Sequence, residues 1–223
     1  MTVKRTQSRR LAWSALAMGM GIALASLSSV SAESEESLSK IGLKAAPVPL
    51  NLQGKNSDLV GYGSYLVNVI GDCNGCHSAG AQTAYAPGGN PYFSQKPTVV
   101  NQATYLGGGQ DFGQLIPGTP NIISRNLTPD KTGLPAGGHT FEEFRTILST
   151  GFDFDKAHPS CGPLPTSAPC LPQPFDGSLL QIMPWPALSK LTDHDMRAVF
   201  EYLSAIPCIA GPPAPSILHN DCK

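Results

Sequence analysis

A chain of 223 residues, 41% apolar and 14% charged, fits one globular domain with long connections and is too apolar for a disordered segment. Gly and Pro supply 23 and 21 residues, so turn-favouring backbone is abundant and only a few patterned helices are expected to interrupt irregular structure. The formal net charge is −1, and the excess of basic residues that would point to a nucleic-acid partner is absent.

The N-terminus reads as an export signal spanning residues 1–32. Lys4, Arg5, Arg9 and Arg10 make a basic start, Leu11 to Val30 is an uncharged apolar run, and Val30-Ser31-Ala32 offers small residues for cleavage before Glu33. About twenty apolar residues could also serve as an uncleaved anchor, but the serines, glycines and cleavage-like end favour removal. Removal takes away four of the 15 basic residues and none of the 16 acidic ones, leaving a net charge of about −5. Export also places the six cysteines where thiols oxidise or are captured by a cofactor.

Residues 33–56 are polar and then punctuated by Pro47 and Pro49, and they read as an extended lead-in along the domain edge. A first helix is expected from Ser57, with Asp58 in its first turn and Leu59, Tyr62, Leu66, Val69 and Ile70 at helical spacing, stopping near Gly71. Gly61 and Gly63 weaken it locally by roughly 1 kcal/mol each relative to Ala, so close approach of another helix explains them better. Residues 78–139 carry Gly, Pro and Asn at short intervals, and predict loop or short strand. A second helix follows the capping-box pattern of Thr140 and Glu143, with Phe141, Phe144 and Leu148 on one face and Gly151 as its stop. A third follows Thr192 and Asp195, with Met196, Val199, Phe200 and Leu203 on its apolar stripe and Pro207 beyond its end.

The chemistry is concentrated in Cys73-Asn74-Gly75-Cys76-His77. In this spacing two thiols can add to the vinyl groups of a haem while the adjacent imidazole reaches its iron, which predicts one covalently bound haem c. Three plainer readings compete: a thioredoxin-like redox pair, half of a zinc site, or cysteines of ordinary disulfides. A thioredoxin-type pair opens a helix after a strand, whereas this pair follows an apparent helix end. A zinc site usually needs a second closely spaced pair, and the other cysteines stand at 161, 170, 208 and 222.

An electron-transfer haem usually takes a second axial ligand. Met196 falls on the stripe of the last helix, where packing explains it, whereas Met183 sits in Ile182-Met183-Pro184-Trp185-Pro186, a stiff loop in which Trp185 could wall off the site. His77 and Met183 are therefore the expected axial ligands. His139, His158, His194 and His219 lie in polar or turn-like settings and receive no role.

With these motifs in place the chain resembles class I c-type cytochromes, and in particular the cytochrome c subunits of bacterial periplasmic alcohol, aldehyde and gluconate dehydrogenases. The likeness runs over roughly residues 57–207, through Tyr65-Leu66-Val67, Cys73-x-x-Cys76-His77, Asn126-Leu127-Thr128-Pro129-Asp130, Thr140 to Gly151, Met183-Pro184-Trp185 and Leu191 to Leu203. It implies an all-α, cytochrome c-like fold in which N- and C-terminal helices cross around one haem amid long loops. Cys73 and Cys76 would attach that haem and His77 and Met183 would ligate its iron. Those subunits often carry three haem domains where this chain has one motif, and residues 152–182 contain an insertion with Cys161 and Cys170.

The simplest pairing of the remaining cysteines is local, Cys161 with Cys170 and Cys208 with Cys222, the second tethering a tail over residues 208–223. The function expected is a periplasmic one-electron carrier between a dehydrogenase or quinol-oxidising complex and an oxidase or other acceptor, with no nucleic-acid partner and with room for peripheral membrane association. The alternatives are a haem enzyme, such as a peroxidase or small-molecule oxidase, and a haem-based sensor with a displaceable sixth ligand.

Overall fold

In the computed structural model, residues 33–80, 82–162 and 170–223 are described. The export-signal reading falls on residues 1–32, which lie outside them. Among the described residues no helix is long and apolar enough to cross a membrane.

Residues 33–56 depart from the extended lead-in read from sequence: Glu35–Ala45 is a helix, α1. The Ser34 side chain accepts from the Ser37 N–H, and Glu35, Glu36 and Lys44 match the signs of the helix ends. Its docking rests on small residues rather than on an apolar stripe. A Cβ on Gly42 would overlap the Gly61 carbonyl, and one on Gly61 would overlap the Ser39 side chain, so α1 lies backbone-close on α2, Ser57–Tyr65. On the other side of α2, a Cβ on Gly63 would overlap the carbonyl of Ala198 in the last helix, α7, Asp193–Leu203. The two glycines that weaken α2 therefore let it sit between two helices.

Asn56, not Ser57, caps α2, accepting from the N–H groups of Asp58 and Leu59. The buried face also differs from the one read by period. Val60, Ser64 and Val67 are buried, whereas Val69 and Ile70 are 47% and 64% exposed. The difference begins in the regular helix, where Val60 and Ser64 are buried and Leu59 and Tyr62 only partly so, and a π-helical turn over Leu66–Ile70 then widens the helix. That turn places Asn68 against two buried phenols. Its amide donates to Tyr202 Oη at 3.0 Å and accepts from Tyr105 Oη at 2.5 Å, and the two phenols lie 2.7 Å apart. The three polar side chains that meet there are thus mutually partnered.

After a left-handed Asp72 (φ 41°), Cys73–His77 forms a single helical turn, α3. Irregular chain follows, including a two-stranded antiparallel hairpin of β1, Asp111–Gln114, and β2, Asn121–Ile123, and a short turn α4, Pro135–Gly138. The hairpin is the strand content that a purely helical reading omits. Helix α5, Phe141–Thr150, carries the full Thr140/Glu143 capping box and ends on left-handed Gly151. The one-turn α6, Trp185–Leu188, leads to α7, which carries the Thr192/Asp195 capping box. Phe141 and Phe144 meet Phe200 edge-on, with centroids 5.5 and 5.7 Å apart, joining α5 to α7 over Val67, Leu106, Leu148 and Met196.

Both local disulfides are present, Cys161–Cys170 and Cys208–Cys222. The second closes a tail that packs on residues 126–128. The Asn126 amide donates to the carbonyls of Ile209 and Leu218, and Asn220 donates to the carbonyl and hydroxyl oxygens of Thr128.

Candidate functional site

The turn α3 is held by backbone and side-chain bonds that have no local sequence pattern. The Asn74 side chain accepts from the Leu106 N–H at 3.0 Å, and the His77 carbonyl accepts from the Gly108 N–H at 2.8 Å. Gly108 is required there: its φ is +73°, and a Cβ would meet the Arg125 backbone. The two cysteines of α3 are free thiols, Cys73 packed against the core and Cys76 exposed. Burial, and then the neighbouring Asp72, push the Cys73 thiol up to about 11. A redox-active pair needs the opposite, a thiolate formed near neutral pH, so the thioredoxin-like reading loses support. Among the described residues no group of three or more His, Cys, Asp or Glu converges as a metal site, which leaves the zinc reading without further ligands.

His77 Nδ1 donates to the carbonyl of Arg125 at 2.8 Å. A carbonyl only accepts, so the proton sits on Nδ1 and the lone pair of Nε2 is available for ligation. Burial lowers the basicity of this imidazole, with the Arg125 charge acting in the same direction and the backbone hydrogen bond against it. Its neutral, ligating form is thereby favoured.

Cys76, His77 and Met183 line one cleft of about 940 Å³, counted to its open mouth. Its walls are largely apolar, from Ile122, Leu127, Phe144, Ile147, Phe154 and Leu180. A thiol, a neutral imidazole and a thioether around an apolar slot suit a haem, which Cys76 could anchor and whose iron His77 and Met183 could hold; Cys73, three positions earlier, packs against the core outside the cleft lining. The Met183 turn is tightly set. Ile182, a β-branched residue, takes φ 68°, a costly left-handed conformation for its type. Met196, by contrast, is buried among core side chains of α7 and lies outside the cleft lining.

Trp185 does not line the cleft as a wall. Its ring rests on Gly151 and its Nε1 donates to the Leu180 carbonyl at 3.2 Å, so it braces the Met183 loop from behind. His139 and His158, which sequence reasoning left without a role, both line the cleft. His139 packs on Phe154 with ring centroids 5.4 Å apart, and His158 Nε2 lies 3.1 Å from the Asn121 carbonyl. His194 instead joins α7 to α1 through Glu35 at 3.0 Å. Arg125 also went unnoticed, although it directly precedes the Asn126-Leu127-Thr128 stretch that carries the family likeness.

No protein-family profile matches the chain, and no solved structure gives a significant match. Among curated proteins, it is 27% identical over 149 residues to the gluconate 2-dehydrogenase cytochrome c subunit of Pantoea cypripedii, covering 66% of this chain and 23% of that protein. It is 25% identical over 167 residues to the fructose dehydrogenase cytochrome subunit of Gluconobacter japonicus, covering 74% and 25% respectively. The chain thus spans about a quarter of the length of the curated relatives it matches. At this distance the likeness is to cytochrome subunits of dehydrogenases as a group.

Proposed function

We propose that the protein is an exported mono-haem c-type cytochrome that carries single electrons, with Cys73 and Cys76 as attachment points and His77 and Met183 as axial ligands. The observation that carries this reading is the convergence of Cys76, His77 and Met183 on one apolar cleft, although Met183 lies more than a hundred positions downstream of the motif. When bound, the haem supplies the one-electron ferrous–ferric chemistry. The chain supplies the rest. The Arg125 carbonyl fixes the His77 tautomer, and Met183 and the apolar walls would offer the iron a soft thioether donor in a largely apolar setting. The fold proposed is the cytochrome c type, supported by the close packing of α2 on α7 through Gly63 and Ala198. That both relatives are dehydrogenase cytochrome subunits supports a dehydrogenase as electron donor, and the compartment proposed is the periplasm.

The test is the visible spectrum of protein matured with haem-attachment machinery. A covalent c-type spectrum, a methionine-to-ferric-iron charge-transfer band and slow carbon monoxide binding are expected, and Met183→His should lower the midpoint potential. Absence of covalent haem would overturn the reading. His139 in the cleft lining gives the haem-enzyme alternative one concrete residue. Arg125, however, lies on the His77 side with its guanidinium held by Asp153 and Asp155, so it is not free to act as a distal cation. Rapid carbon monoxide binding and a missing band would favour the enzyme or sensor alternative.

A further inference from the structure

Arg125 makes two sets of contacts, one through its carbonyl and one through its guanidinium. Its carbonyl accepts from His77 Nδ1 at 2.8 Å. Its guanidinium points the other way, with Nη2 2.7 Å from Asp153 Oδ1 and Nε 2.9 Å from Asp155 Oδ2. Asp153 is 2% exposed, and its carboxylate also accepts from the N–H groups of Asp155, Lys156 and Ala157. That carboxylate shapes the start of the inserted loop as well as pairing the guanidinium.

From Asp153 the connection continues through backbone to Met183. The Asp153 N–H donates to the Ser178 carbonyl at 2.8 Å, Phe152 and Leu179 form an antiparallel bridge, and the Leu180 N–H donates to the Gly151 carbonyl at 2.7 Å. The Leu180 carbonyl then accepts from Trp185 Nε1, and Met183 lies on the turn between those two residues. Hydrogen bonds and one ion pair therefore run continuously from His77 to the segment that delivers Met183.

We propose that Arg125, with Asp153, is a positioning residue that sets the Met183 loop in register with His77 across the cleft. The proposal rests on the haem reading above. An ion pair serving only the inserted loop would need no contact with His77, whereas here the same residue supplies the hydrogen bond that orients the imidazole. A buried pair also makes a rigid coupler, because losing one partner strands an uncompensated charge. Lysine cannot reproduce the planar fork that reaches two carboxylates at once.

The experiment uses full-length, haem-matured protein and the variants Asp153→Asn, Asp155→Asn and Arg125→Lys. Haem stoichiometry by the pyridine haemochrome tests the underlying reading, since wild type without covalent haem would sink that reading irrespective of Arg125. The methionine-to-iron band and carbon monoxide binding test the proposal. Expected are wild-type haem content, a weakened band at room temperature and carbon monoxide binding accelerated by about tenfold or more, the scale on which outer contacts tune metal ligation. A merely structural pair would lower the melting temperature and leave band and binding rate unchanged, which would overturn the proposal. If Asp153→Asn or Arg125→Lys does not fold, the half-exposed Asp155→Asn decides by the same two readouts. A weakened band with faster binding supports the proposal, and an unchanged pair of readouts overturns it.

Discussion

The Trp185 indole lies against Gly151, the left-handed residue that ends α5, so closely that no Cβ fits between them. Gly151→Ala must therefore strain a φ of +74° and also displace the ring that braces the Met183 turn. A loss of about 1–3 kcal/mol is expected in urea denaturation, from backbone strain and overpacking. In haem-loaded protein the methionine-to-iron band should weaken as well. Unchanged stability and an unchanged band would show that the ring yields without cost.

Helix α2 has the same dependence on absent side chains. Gly63→Ala should push α2 from the Ala198 carbonyl and cost about 1–3 kcal/mol, as overpacking does in close-packed cores. Gly162, which has open space around its would-be Cβ and no positive φ, provides the control. Gly162→Ala should stay within about 0.5 kcal/mol of wild type. Equal melting temperatures for the two variants would contradict the close crossing.

The acid limb of stability should carry a contribution from Asp195. Burial raises the pKa of this carboxyl, but hydrogen bonds from Thr192 and from Tyr62 Oη at 2.9 Å outweigh it and hold it below the usual aspartate value. A depressed folded pKa gives stability that is complete above the unfolded value of about 4 and is lost as pH falls through the folded one. Asp195→Asn should flatten the fall in denaturation free energy below about pH 4. An identical acid limb in the variant would remove Asp195 from this role. On the alkaline side, burial and then the same hydrogen bond push Tyr62 up to about 12, so Tyr62→Phe should remove one late-titrating phenol from the ultraviolet titration.

The tail disulfide offers a test of the region behind His77. Cys208 and Cys222 are 14 positions apart, and opening a loop of this length costs about 3 kcal/mol in the chain-entropy account. The Cys208→Ser, Cys222→Ser double variant should lose stability on that scale, and hydrogen exchange should rise at the Asn126 and Thr128 amides. Unchanged protection there would mean that Asn220 and Ile217 hold the tail without the crosslink.

What was legible in the sequence was local. Both capping boxes occur where Thr140/Glu143 and Thr192/Asp195 place them, because a cap is written within four residues. Helix α1 was hard to read because Ser39 and Gly42 dock it on Gly61 by backbone proximity, while Ile41 stays 41% exposed. The buried face of α2 was misread because small residues, Gly61, Gly63 and Ser64, take the buried positions there while Leu59 and Tyr62 stay partly exposed. Among the site residues, Cys73, Cys76 and His77 announce themselves by spacing and Met183 by its flanking prolines. Arg125, Asn74 and Asp153 do not, since they act through a carbonyl, an amide and an ion pair across tens of positions.

The pairing of the C-terminal tail with residues 126–128 joins positions 92 apart in the chain, whereas the bonds that hold the Cys73–His77 turn to Leu106 and Gly108 span 32 positions or fewer. Loop-closure entropy delays contacts of such separation relative to local ones. The Arg125 carbonyl that orients His77 is therefore expected to gain its backing from the tail later than the turn gains its own contacts. On the haem reading proposed above, the thiols of that turn would meet their cofactor before the imidazole is finally locked.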